Sequence, residues 1–585
     1  MKKKVLTTTL LVLFMLVLLF IRHYLILELP IFAYVDYIND DELMVEQAYN
    51  IKHGNWLGVY GYNTLLKSPV FPCYLALLSM LGLPYILTTT LIYAIATCLF
   101  IYSIKDIIKN KGAIALLFAV ILFNPIMFSI DFQRVYRNSL APSLALFLMS
   151  FLNIAFINRN NPKIRWYVFG ITCASLVFPF FYYIREDSIW IVPFVVFYLV
   201  IILANIVLKC IKEHAIKKVD VIKVMLVFLP VITLVLFNFI VGNINYKHYG
   251  EHAVNMSDID SLQEVLHTIA IVKTDDPKSN ATNSRQKMRK LYEVSPTLNS
   301  MSETCETLQD IISGRENGDV GDAMYMWVFL ETISASGYNT FEKQDEIFRS
   351  ITKEIKEAIA SGKIETQEMT PFFADAAYFK YTNEGMIKNL FKAIQKINEY
   401  DSFGIMDTYG SLYSSDVFEN RIRMFLEITN DKMLLNNEPR SWNMFGELIK
   451  ESQTEYIEKM QPKIDVLRTI AKGYDAVCDY VIIIGYASYM IITIVFVIRL
   501  IKHKDSELFN SWVVLSGIIG SIVTLCFGVA YTSLTKGNVT ISFYLMSGYI
   551  LNMAFAVMSI VILSNVVIDK FKQRKKVKSE RQEEV

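Results

Sequence analysis

Ten stretches of this 585-residue chain run for about 18 residues or longer with little or no charge, and no other feature limits its folding so strongly. Runs of that length match the ~30 Å hydrocarbon core of a bilayer. They fall at about 5–21, 85–104, 113–130, 138–157, 166–184, 188–208, 224–244, 480–498, 508–535 and 537–568. The charged fraction, 19%, lies below the roughly 25% of soluble domains, which argues against a soluble enzyme. Six of the seven cysteines lie in or beside the apolar parts and only Cys305 in the long polar part, so a disulfide framework is excluded.

The net charge of +1 conceals a partition. Residues 243–475 carry a net −11 and the remainder a net +12. Basic clusters mark the cytoplasmic side of a membrane protein. Lys2–Lys4, Lys105 to Lys111, Arg159 to Arg165, Lys209 to Lys218, Arg499 to Lys504 and the tail from Lys570 all fall on one side if there are ten spans. Both termini are then cytoplasmic. Counting the apolar stretch Pro69–Leu87 as a span would reverse every later loop, so it reads as a partly buried or juxtamembrane helix leading into the second span. The first segment lacks a small-residue cleavage site and is interrupted by Arg22, His23 and Tyr24, which makes it an uncleaved anchor. The basic tail reflects this topology rather than nucleic-acid binding.

The non-cytoplasmic face receives residues 28–84, 131–137, 185–187 and the 233-residue segment 243–475. The first of these carries Asp40-Asp41-Glu42, then Gly54-Asn55-Trp56 and Lys67-Ser68-Pro69. Carboxylates there can serve as a general base, bind an acceptor or hold a divalent metal through oxygen; the bland alternative is a capped helix start. Asp131, Arg134 and Arg137 follow the third run, and Arg185, Glu186 and Asp187 the fifth. Arg134 and Arg137, three apart, would point the same way on a helix. Arginine forks suit phosphate, and Lys67 adds a point charge. Cations on the side disfavoured for positive charge fit a substrate with a phosphate head and a lipid tail; otherwise they anchor spans at the interface.

The first loop resembles that of the GT-C membrane glycosyltransferases, nearest to the protein O-mannosyltransferase and aminoarabinose transferase group. The likeness is carried by Asp40-Asp41-Glu42, Gly54-Asn55-Trp56 and Lys67-Ser68-Pro69 followed by Leu81-Gly82-Leu83, over residues 28–110. It implies transfer of a sugar from a polyprenyl-phosphate donor to an extracytoplasmic glycan, lipid or protein acceptor at a bacterial cell membrane. By that resemblance a first-loop aspartate is the catalytic base: Asp41, because it precedes Glu42, or Asp40 in an Asp-Asp version of the pattern. Lys67 would meet the donor phosphate, helped by Arg134, Arg137 and Arg185. Glu42, Asp131, Glu186 and Asp187 are candidates for binding the acceptor or a metal. A divalent cation such as Mg or Mn is an option that the sequence does not require. Residues 185–187 and the large outer segment are not general features of the group and look like those of a bacterial subfamily.

The expected organisation is a GT-C-like catalytic membrane module at 1–245, a mainly helical extracytoplasmic domain at 246–475, a three-span module at 476–568 and a basic tail at 569–585. Within the outer domain, Asp322–Ala335 and Phe341–Ala360 read as helices, with Ile347, Ile351, Ile355 and Ile359 as a core stripe. Phe391–Ile397 and Phe445–Ile470 also read as helical, and 276–300 as a flexible loop. His248 and His252 lack a third ligand at diagnostic spacing for zinc. The main alternative is a transporter or flippase of lipid-linked glycans. Pro125, Pro142, Pro179, Pro193 and Pro230 in or near the spans favour it, while the absence of midplane charge and of internal repeats does not. A non-enzymatic scaffold would leave the charged outer loops unexplained.

Overall fold

The computed structural model describes residues 2–33, 40–273, 283–313, 319–320, 322–366, 383–400, 404, 419–435, 438–442, 448–450, 452–503, 507–536 and 541–583. Among these, nine helices are long and apolar enough to cross a membrane. The chain begins with α1 (Lys2–Ile26), α2 (Asp40–Lys52), the short apolar α3 (Val70–Met80) and α4 (Tyr85–Ile108). It continues through α5 (Lys111–Leu122), α6 (Ile130–Gln133), α7 (Ala141–Ile157), α8 (Arg165–Ile184), α9 (Val192–Glu213), α10 (Lys218–Val227) and α11 (Leu229–Tyr249). Packing within the bundle is close. A Cβ on Gly170 of α8 would lie 2.6 Å from the Ala155 nitrogen of α7, so only glycine lets those backbones approach.

The third apolar run, expected as one span over 113–130, is instead broken. Asn110 caps α5 by accepting from the Gly112 and Ala113 amides. Twelve residues later the helix ends, about 18 Å along. The cause is Asn124-Pro125: proline offers no N–H to the helix and disfavours helical backbone in the residue before it, and Asn124 is extended at φ −58°, ψ 125°. A 3-10 turn, Pro125–Phe128, carries the chain on to α6. Ending a helix inside an apolar bundle strands its last carbonyls. Here side chains from three other helices meet them: Tyr474 donates to Val120 O, Tyr93 to Ile121 O at 2.6 Å, and Arg22 to Leu122 O and, at 3.0 Å, to Met127 O. Arg22 is 1% exposed and lies 5.1 Å from the Tyr93 ring centre. The chain thus travels the length of the bundle between Lys111 and Arg134, because Arg134 O accepts from Tyr85 at the opposite end of α4. It does so without a continuous helix.

Residues 253–364 form a second core. It contains α12 (Asp260–Ala270), α13 (Arg285–Tyr292), α14 (Pro296–Asn299), α15 (Ser302–Ile312), α16 (Asp322–Ala335) and α17 (Phe341–Ala360), together with Leu43, Leu57, Leu65 and Leu66 of the first loop. Ile347, Ile351 and Ile355 are buried in it and Ile359 is half-buried. The expected flexible loop is helical over the part described: α13 and α14 occupy it, capped by Ser284 and Ser295, while 274–282 lies outside the described residues. Its dense charge hid the apolar positions Met288, Leu291 and Leu298, which point inward.

Described residues between 383 and 475 join the bundle core. α18 (Asn383–Lys396) packs on α21, and α19 (Glu419–Thr429) on α2 and α3. A small antiparallel sheet follows: β1 (Met433–Leu435), β2 (Glu438–Trp442) and β3 (Leu448–Lys450), in the order β1-β2-β3, with Met433 opposite Arg440 and Ser441 opposite Ile449. Helix over Phe445–Ile470 therefore starts later than expected, at Gln453. From there α20 (Gln453–His503) is one helix of 51 residues, and the anticipated boundary at 475/476 falls inside it. α21 (Phe509–Lys536), α22 (Ile541–Tyr544) and α23 (Met546–Glu583) complete the chain, α23 continuing into the basic tail. A Cβ on Gly485 of α20 would meet Ala556 Cα of α23 at 2.5 Å, which marks the closest seam of this part.

Candidate functional site

The charged loops converge at one end of the bundle. The strand-like segment 31–32 is stitched on both sides: Ile31 N–H donates to Lys432 O at 2.7 Å, and Phe32 pairs with Gln133 and Val135 through bonds of 3.0 and 2.9 Å. This fixes the exit of α1 beside residues 133–135. α2 then opens with Asp40, Asp41 and Glu42 in its first turn, where the helix dipole favours negative charge.

Asp41 is fully buried (0% exposed) and gripped by Arg134, whose Nε lies 2.9 Å from Oδ2 and whose Nη2 lies 2.6 Å from Oδ1. This is a bidentate, charge-assisted pair. Asp40 is different. Its side chain is 23% exposed, and it accepts from the Tyr136 hydroxyl at 2.7 Å, with Lys67 Nζ at 3.3 Å and Arg137 Nη2 at 3.8 Å. Burial acts to raise the Asp40 carboxyl, but Lys67, Arg137 and Tyr136 together bring it below its usual range. Burial holds the Tyr136 hydroxyl well above its usual range, so it stays a donor.

Arg137 forms its strongest contacts with Glu186, at 2.8 and 2.9 Å, and also donates to the Tyr136 hydroxyl at 3.0 Å. Arg185 is held by Asp187 at 2.7 and 2.5 Å and by Asn138. Glu42 turns away to Arg421 of α19 at 2.6 Å. Burial raises the Glu42 carboxyl, with Arg421 opposing. Asp131 sits apart from these pairs, half-buried, its carboxyl pushed up to about 6 by burial against the lowering effect of Arg134.

One expectation is corrected. Arg134 and Arg137 do not share a helix face, because Arg134 and Tyr136 are extended (Arg134 φ −64°, ψ 132°; Tyr136 φ −150°, ψ 156°) and the chain turns tightly at Val135, where Tyr136 N–H donates to Arg134 O at 2.7 Å. The two guanidinium groups reach different carboxylates and instead share the Tyr136 ring, 4.7 and 5.1 Å from its centre. α22 roofs the cluster: Phe543 lies 5.0 Å from Arg134, Tyr544 lies 4.9 Å from Arg185, and Phe543 O accepts from Asn138 at 2.6 Å.

Gly54-Asn55-Trp56 follows the end of α2 and ties it to α11, since Trp56 Nε1 donates to Asn245 at 2.8 Å. His248 stacks near Trp56, whereas the His252 ring rests against Gly242. Among the described residues no three His, Cys, Asp or Glu side chains converge as a metal-binding group. Tyr136, Asn138, Arg421, Phe543 and Tyr544 belong to this region without standing out in the sequence. The last two were hidden inside an apolar run. Four carboxylates (Asp40, Asp41, Glu186, Asp187) thus face four cations (Lys67, Arg134, Arg137, Arg185), and a phosphate arriving here must draw cations from carboxylates. The loosest are the contacts of Lys67 and Arg137 with Asp40. No protein-family model, curated protein or solved structure matches this chain.

Proposed function

We propose that this chain is a multi-pass membrane glycosyltransferase that moves a sugar from a polyprenyl-phosphate donor to an extracytoplasmic acceptor, with a GT-C-like bundle at 1–245 as its catalytic module. The basic clusters support an orientation with both termini in the cytoplasm of a bacterial cell and the charged cluster outside. The observation that carries the reading is Asp40: an accessible carboxylate held by two cations and a tyrosine drawn from two separate segments, Lys67 from one and Tyr136 with Arg137 from the other, at the ends of apolar helices.

Asp40 is the base in this proposal. Asp41, the first choice from the resemblance, has no exposed surface to offer an acceptor and serves to hold Arg134. The donor phosphate takes Lys67 and Arg137 as partners. Losing those cations raises the basicity of Asp40, so donor binding itself readies the base. The acceptor proton then moves to Asp40 as the acceptor heteroatom bonds to the anomeric carbon. The bond from that carbon to the phosphate oxygen breaks, and polyprenyl phosphate leaves with charge spread to the same cations. Arg134 and Arg185 are kept in place by Asp41, Asp187 and the aromatic roof. A divalent cation is not needed for these steps.

The break in α5 favours the transporter alternative, because interrupted helices often line substrate sites. Its freed carbonyls, however, accept from Tyr474, Tyr93 and Arg22, and so are spent on internal structure. The experiment is to incubate the purified protein with a panel of polyprenyl-phosphate sugars and follow release of polyprenyl phosphate. Release lost in Asp40→Asn supports the transferase. Donor binding without turnover in the presence of varied acceptors favours the transporter, and no donor binding overturns both.

A further inference from the structure

A second polar site lies at the other end of the bundle. There the ends of α4, α7, α20, α21 and α23 line an open cavity of about 450 Å³, within the range of small-ligand sites. The run of α4 from Tyr85, beside Arg134, to Ile108, beside this cavity, puts the two sites about 35 Å apart. Where the apolar helices end is also where lipid headgroups lie if these helices cross a bilayer.

The charges lining the cavity are unevenly satisfied. Arg499 pairs with Glu507 at 3.2 Å, and Asn510 accepts from Arg159 at 3.0 Å. Lys109, Lys570 and Lys572 also line the cavity, with no ion pair or side-chain hydrogen bond among the described residues. By contrast, nearby Lys105 is placed over the Tyr102 ring at 3.7 Å. These three lysines come from the end of α4 and from α23, which are fastened together here, since Asn565 of α23 donates to Ile108 O of α4 at 2.9 Å. Lys109 holds a left-handed backbone (φ 59°) just after α4, a costly conformation for a non-glycine residue. Asp106 and Asp569 share the lining, where carboxylates can accept hydrogen bonds from hydroxyls.

We propose that this cavity binds a phosphoglycerol group, and that its source is the headgroup of an anionic membrane phospholipid, with Lys109, Lys570 and Lys572 on the phosphate and Asp106 and Asp569 on the glycerol hydroxyls. Basic pockets between membrane helices are suited to such heads. The position at the helix ends selects the lipid over a free phosphate ester, because the acyl chains continue alongside apolar surface. The proposal rests on the membrane reading alone and is independent of glycosyl transfer.

The test is native mass spectrometry of the full chain released from nanodiscs of equal phosphatidylglycerol and phosphatidylcholine. One to two phosphatidylglycerol molecules are expected to stay bound, and their retention should fall about a hundredfold in Lys109→Gln/Lys570→Gln/Lys572→Gln, three lost contacts of about fivefold each. The thermal transition of that variant in phosphatidylcholine alone should match the parent, showing that it folds. Equal retention of the two lipids, or unchanged retention in the variant, overturns the proposal. Displacement of the bound lipid by millimolar glycerol 3-phosphate would overturn the lipid as source.

Discussion

Removing Arg134 should harm this protein through stability before it harms chemistry. Asp41 is fully buried, and Arg134 supplies two parallel charge-assisted bonds to it. Taking away one partner of such a pair leaves a buried charge uncompensated, at a cost of about 3–5 kcal/mol. Arg134 is itself 20% exposed and water can partly replace it, which places the expected loss near the lower end, about 3 kcal/mol. That corresponds to about two powers of ten in the unfolding constant. Loss of the guanidinium from above the Tyr136 and Phe543 rings adds about 0.5–1 kcal/mol. The assay is a double-mutant cycle of Arg134→Met and Asp41→Asn, followed by tryptophan fluorescence during unfolding in mixed micelles. The double variant should recover most of the loss, giving a coupling above about 2 kcal/mol. Additive single effects would refute the buried pair as the holder of this loop.

Asp40→Asn should abolish transfer while leaving the unfolding transition close to that of the parent; loss of fold together with activity would remove the argument for a base. Lys67→Gln should move the acid limb of kcat/KM to higher pH, because the cations that lower Asp40 are reduced by one; a limb that stays or falls contradicts the assignment. Asp431, which accepts from Ile86 N–H at 2.6 Å, is pushed up to about 7 chiefly by burial. A folded pKa raised from 3.8 stabilises fully below about pH 4 and is lost as pH rises to about 7, so the stability gained by Asp431→Asn should grow over that window and then level off. A gain that is flat across pH 4–8 would contradict it. Arg22→Met should cost about 3 kcal/mol by stranding two carbonyls, measured by the same micellar unfolding; a loss under about 1 kcal/mol would show that the break in α5 has other support.

The spans were legible because charge-free length is a one-dimensional property. So were α16 and α17, the first as a run of apolar residues and the second from the four-residue recurrence of Ile347, Ile351, Ile355 and Ile359. The interruption at Asn124-Pro125 was written in the sequence too, but the apolar residues on both sides outweighed it. What could not be read is pairing. Asp41 meets Arg134 across 93 positions and Glu42 meets Arg421 across far more, and nothing local states which carboxylate receives which cation. The side chains gathered in the charged loops do form a cluster, yet the choice between Asp40 and Asp41 depends on burial, which two adjacent residues of a helix can differ in completely. The division of the described residues of 246–475 between two cores was equally hidden, because α18 and α19, which join the bundle, are amphipathic in the same way as α12 and α17 of the second core.

The length of α20 joins parts of the molecule that lie far apart. At 51 residues it is about 76 Å long, well beyond the ~40–45 Å of a whole bilayer. Its projecting half grips the exit of α1, through Lys459 to Glu28 at 2.6 Å and Tyr456 to Glu28 O at 3.2 Å. Its apolar half is locked to α23 at Gly485. The projecting half is thereby tied to the α1 exit, which is stitched to residues 133–135, and Pro462, which offers no N–H to the helix, lies between that grip and the seam with α23. Two short links, Lys459 to Glu28 and Phe32 to Val135, therefore join the outer end of the longest helix to the backbone that carries Arg134.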